Sequence, residues 1–126
     1  MNYSLELELA VESTDSNKIL GRDWRAKHQI FERVKKEVFY KTRNKTPETP
    51  LENFTISVVR QSPKTLDYDN LIASLKSYID GLRLSGIIKD DSWEYIKHIS
   101  VNQLISKDKK LIITVQGLQS VKVTGE

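Results

Sequence analysis

The stretch LDYDNLIASLKSYIDGLRLSGIIKDDS, residues 66–92, carries a helix, its stop signal and two acidic flanks in succession. Leu71, Ile72, Leu75, Ile79 and Leu82 recur at the period of a helix with one apolar face, which predicts a helix from about Leu71 to Leu84. Asp69 or Asn70 is suited to cap its start, because a short acceptor side chain can take a free N–H of the first turn. Gly86 ends it, since glycine enters the left-handed backbone region without steric penalty. Asp67 and Asp69 precede the helix and Asp90 and Asp91 follow it.

Outward from this helix the apolar period changes to two. Ser4 to Val11 alternates, with Leu5, Leu7, Leu9 and Val11 on one side and Glu6 and Glu8 on the other, which predicts a half-buried strand. Glu12 to Asn17 is polar and turn-forming. From Asp23, a plausible N-cap, the residues Trp24, Ile30, Phe31, Val34 and Val38 predict an amphipathic helix to about Tyr40. Lys41 to Pro50 contains two prolines and reads as a connector. Phe54, Ile56 and Val58 give a second strand that fades near Arg60 to Pro63. Tyr95, Ile96, Ile99 and Val101 suggest a third strand, and Leu111 to Val115 a fourth beyond the polar turn Ser106 to Lys110. The order β-α-β-α-β-β predicts one small α/β domain over residues 1–126, with a mixed sheet covered by two helices and at least one hairpin.

Composition agrees with a folded domain. Leu, Ile, Val and Phe make up 37 of the 126 residues, enough apolar surface for a core without a metal or disulfide staple. The chain has no Cys, which removes disulfides, thiolate metal sites and cysteine nucleophiles and favours a reducing compartment, expected to be cytoplasmic. No apolar run approaches membrane-spanning length, and no basic segment followed by an apolar block opens the chain, so neither a membrane span nor a signal peptide is expected.

The net charge of +3 is unevenly placed. Between Asn17 and Lys45 ten basic residues face three acidic ones, and the rest of the chain is net acidic. A polyanion would be drawn to that segment. The candidate DNA-binding residues are Lys18, Arg22, Arg25, Lys27, Arg33, Lys35 and Lys36. If residues 66–69 are extended, Asp67 and Asp69 point the same way, about 6.5–7 Å apart. Two carboxylates held together repel, and a hard divalent cation relieves that repulsion. Alternatively, acidic residues flanking a helix are a cap and a solvated turn. His28 and His98 lack metal-ligand spacing and read as structural or solvated.

The run Asp67-x-Asp69-Asn70-Leu71, then Lys76-x-x-x-Asp80-Gly81-Leu82, then Gly86 and Lys89-Asp90-Asp91-Ser92 resembles the RusA-type Holliday junction resolvases, a family common in prophages. Ser16-Asn17-Lys18-Ile19-Leu20, followed by Trp24 and a basic helix, is similar to the family's Ser-x-Asn segment and first helix. The resemblance covers nearly the whole chain, with its specificity in residues 67–91. It implies a homodimeric endodeoxyribonuclease, dependent on Mg²⁺ with Mn²⁺ as an alternative, that cuts four-way DNA junctions by paired nicks.

On residue matching, the resemblance implies Asp67, Asp69 and Asp91 as catalytic metal ligands, with Asp90 at a further acidic position and Asn70 and Asp80 in support. Lys76 matches the family's essential lysine if three residues are inserted after Asn70. Two departures stand out: that insertion, and the absence of a Trp-Pro-Pro run before the Ser-x-Asn segment. Seven helical steps leave Lys76 within about 20° of the face carrying Asp69, one turn further along than usual. The competing reading is a surface pair between Lys76 and Asp80. Other readings of the whole are a DNA-binding dimer of the same fold that does not cleave, and a nuclease for other branched DNA.

Overall fold

The computed structural model describes residues 2–10, 24–92 and 94–118. The elements are β1 (Asn2–Ala10), α1 (Trp24–Thr42), β2 (Phe54–Ser62), α2 (Tyr68–Leu84), β3 (Ile96–Ile105) and β4 (Lys110–Leu118). The four strands form one mixed sheet in the order β1-β4-β2-β3. β4 is antiparallel to both β1 and β2, with Leu7 opposite Ile113 and Val58 opposite Ile113. β2 and β3 run parallel, with Val58 opposite Val101. Parallel neighbours need a crossover connection, and α2 supplies it.

The alternation of each strand decides its buried side. Leu5, Leu7 and Leu9, Phe54, Ile56 and Val58, and Leu111, Ile113 and Val115 all join one cluster with Val34 and Val38 of α1 and Leu75, Tyr78 and Leu82 of α2. Glu6, Glu8 and Gln116 stay exposed on the opposite alternation. The two helices approach each other closely: a Cβ placed on Gly81 would lie 2.8 Å from Cβ of Val38. Only glycine permits that contact.

Two expectations are corrected. The predicted hairpin between the last two strands does not form, because β2 lies between β3 and β4. Residues 106–109 instead pass the end of β2, where the Ser106 N–H donates to the Ser62 carbonyl at 3.1 Å. A polar turn dictates that the chain reverses, not which strand it pairs with afterwards. β4 enters the interior of the sheet, which buries Leu111, Ile113 and Val115 from both sides. The second strand ends at Ser62, within the stretch Arg60 to Pro63 where its pattern fades, with Arg60 and Ser62 both buried. The predicted caps Asp69 and Asn70 are already helical: α2 starts at Tyr68, and Asp67 is the N-cap, with extended backbone at φ −66° and ψ 162°. Asp67 and Asp69 thus do not share an extended segment.

Candidate active site

α2 and the chain that follows it bring the predicted site residues into two groups. At the start of α2 the Asp67 carboxylate makes no capping hydrogen bond to the helix. It accepts one from the Asn70 side-chain amide instead, at 2.6 Å. Asn70, predicted as a supporting residue, therefore orients Asp67. Asp69 lies in the first turn, where the helix dipole favours a negative charge. Both aspartates are exposed.

The second group forms because the chain returns onto α2. Gly86, at φ +78°, turns the backbone out of the helix. Ile87 and Ile88 are then buried, and Leu51 holds them through hydrogen bonds from its N–H to Ile87 at 2.9 Å and to its carbonyl from Lys89 at 3.0 Å. This anchorage places Asp90 and Asp91 beside the middle of the helix. Lys76 Nζ is 2.7 Å from Asp91 Oδ2 and 3.3 Å from Asp80 Oδ1. Asp90 Oδ1 accepts the Asp91 backbone N–H at 2.8 Å, which fixes the acidic turn locally.

Charge in this group is mutually stabilised. The hydrogen bond to Asp91 holds the Lys76 ammonium pKa above its ordinary value, and the contact with Asp80 adds to the effect. The same hydrogen bond from Lys76 holds the Asp91 carboxyl below its ordinary value. The surface pair expected between Lys76 and Asp80 is present, and Asp91 makes it a triad.

The carboxylates offer oxygen donors only, the type a hard divalent cation takes. Among the described residues no group of three or more His, Cys, Asp or Glu side chains is arranged to hold a metal ion. Asp69 and Lys76 lie seven residues apart on nearly one face of α2, about 10 Å along its axis.

Of the predicted DNA-binding residues, Lys18 and Arg22 lie outside the described residues, as do the side chains of Arg25 and Lys27. Arg33 and Lys36 are exposed on α1. Lys35 is paired with Glu32 at 2.6 Å, and Lys41 with Glu37 at 3.6 Å. Further along, the Arg43 guanidinium sits 5.8 Å from the centre of the Tyr40 ring. Glu32 and Glu37 offset part of the positive charge on the helix surface.

Sequence reasoning missed Arg60 and Gln103. The two are register partners on β2 and β3 and project toward the segment leading into α2. Arg60 Nη1 donates to the Lys64 carbonyl at 2.9 Å and to Gln103 Oε1 at 3.4 Å. The Gln103 amide accepts from the Leu66 N–H and donates to the Leu66 carbonyl, both at 2.8 Å. The available signal was the alternation Phe54, Ile56, Val58, which puts Arg60 on the inward side.

No known protein-family model matches the chain, and no curated protein matches it. Among the described residues no helix is long and apolar enough to cross a membrane.

Proposed function

We propose that this chain is a divalent-cation-dependent, structure-selective endodeoxyribonuclease of the RusA type, acting as a homodimer on four-way DNA junctions in the cytoplasm of a bacterial or phage-infected cell. The observation that carries the reading is the contact between Lys76 and Asp91. It links the acidic turn that follows α2 to the helix that begins with Asp67 and Asp69.

Asp67, Asp69 and Asp91, with Asp90 in reserve, are the carboxylates that would hold Mg²⁺, whose chemistry in phosphodiester hydrolysis is to polarise the phosphate and activate water. Mn²⁺ has the same oxygen preference. The chain's own residues do the rest. Asn70 keeps the Asp67 carboxylate turned by its hydrogen bond. The Lys76 ammonium, on the exposed side of α2, can neutralise the phosphate. The basic segment holds duplex arms through phosphate contacts, which position DNA without reading sequence. A two-fold dimer presents two such sites to a substrate that has two-fold symmetry itself.

The pairing of the Lys76 ammonium with Asp80 and Asp91 favours a second reading, a DNA-binding dimer that does not cut. One experiment separates the readings. A synthetic four-way junction incubated with the chain and Mg²⁺ is expected to be nicked symmetrically while linear duplex stays intact. Asp69→Asn is expected to abolish the nicks and leave junction binding within about twofold, because it removes charge without changing shape. A junction bound but never cut by the unmodified chain supports the second reading. Unchanged cutting by Asp69→Asn removes the assigned role.

A further inference from the structure

Arg60 is a buried residue, 8% exposed. Burial lowers its pKa, the direction expected for a cation removed from water. Tyr78 acts on it in the opposite direction. The Arg60 guanidinium donates hydrogen bonds to Gln103 of the neighbouring strand and to the Lys64 carbonyl in the segment between β2 and α2.

Gln103 engages Leu66 as a strand would, with its amide taking the N–H and meeting the carbonyl. One side chain thus holds both polar groups of the residue next to Asp67. Lys64 and Leu66 are both tied to the sheet, and Asp67, one residue further on, starts α2.

We infer that Arg60 and Gln103 are positioning residues that brace residues 63–67 and thereby fix the direction of the Asp67 and Asp69 carboxylates. The inference rests on the proposed nuclease reading, in which those carboxylates do the chemistry. The brace acts through Asp67 and touches neither substrate nor cation. Groups that orient carboxylate ligands from behind alter cation dependence by about 10–100-fold when removed.

The test uses the full chain and the variants Arg60→Met and Gln103→Met, with three readouts. They are the melting temperature, the rate of tryptic cleavage after Lys64 followed by mass spectrometry, and the Mg²⁺ concentration that half-saturates cleavage of a four-way junction. Arg60→Met is expected to leave the melting temperature unchanged or raised, because an apolar side chain of similar volume replaces a buried charge. Both variants are expected to be cut after Lys64 about tenfold faster and to need about tenfold more Mg²⁺, with the maximal rate recovered at saturating Mg²⁺. Melting temperature and maximal rate that fall together at an unchanged Mg²⁺ requirement would overturn the inference, since a residue with a purely structural role behaves that way. Unchanged cleavage after Lys64 would overturn it as well. A wild-type chain that cuts no junction at any Mg²⁺ concentration refutes the nuclease reading, and the tryptic rates then decide the brace alone.

Discussion

Replacing Lys76 by Met and Asp91 by Asn, singly and together, measures how strongly the acidic turn is tied to α2. The contact is short, 2.7 Å, but the Lys76 side chain is 58% exposed. Unit charges a few ångströms apart in water attract by about 1 kcal/mol, and exposed pairs return about 0.2–1 kcal/mol after the side chains are ordered. The Asp80 contact is an i,i+4 helix pair worth about 0.3–0.5 kcal/mol, and it is absent from the coupling between Lys76 and Asp91. The expected coupling is therefore about 0.5–1 kcal/mol at pH 7 and low salt, read from urea denaturation of the four proteins in the presence of a chelator. The pH dependence has a definite sign. The pKa of Asp91 is lowered on folding, so its contribution is present above the ordinary carboxylate value and is lost as pH falls through the native value. The pKa of Lys76 is raised, so its contribution is present below the ordinary ammonium value and is lost as pH rises through the native value. A plateau between these limits, lowered by high salt, is the expected result. A coupling of zero at pH 7, or one that persists after Asp91 is protonated, would refute the assigned contact.

Two further outcomes follow from packing and burial. Gly81→Ala places a methyl 2.8 Å from Cβ of Val38, and the strain, about 1–3 kcal/mol, should exceed the gain of roughly 1 kcal/mol in helix propensity; a melting temperature at or above wild type would contradict the close helix contact. The Tyr3 hydroxyl donates to the Lys45 carbonyl at 2.6 Å, and burial raises its pKa. Its contribution is therefore complete below the ordinary tyrosine value and is lost as pH rises through the native one. Tyr3→Phe should cost about 0.5–1.5 kcal/mol at pH 7 and flatten the alkaline fall in stability, as read from denaturation at pH 7 and pH 11.

Local signals gave the elements of this chain more readily than their neighbours. The apolar spacing of Leu71, Leu75 and Leu82 marked the buried face of α2, and Gly86 marked its end, because helix period and left-handed backbone are properties of a few consecutive residues. The start of α2 was misplaced. Asp67, Asp69 and Asn70 are all good capping types, and the choice among them follows from where the preceding segment is held by Gln103. The partner of Lys76 was half legible. Asp80 stands four residues on and had to be near, whereas Asp91 meets it through the burial of Ile87 and Ile88 against Leu51, contacts made across 36 residues or more of chain.

Periodicity, capping residues and turn residues, read within windows of about a dozen positions, thus determined an α/β order, the inward faces and the stretch in which acidic and basic side chains gather. Strand order, the insertion of β4 between β1 and β2, the hydrogen bonds of Arg60 and Gln103 and the contact between Lys76 and Asp91 were decided only by the tertiary structure. Each of these depends on contacts between residues far apart in sequence, whose free energy is gained only when the apolar faces close on one core, and no local pattern encodes which distant face will be there.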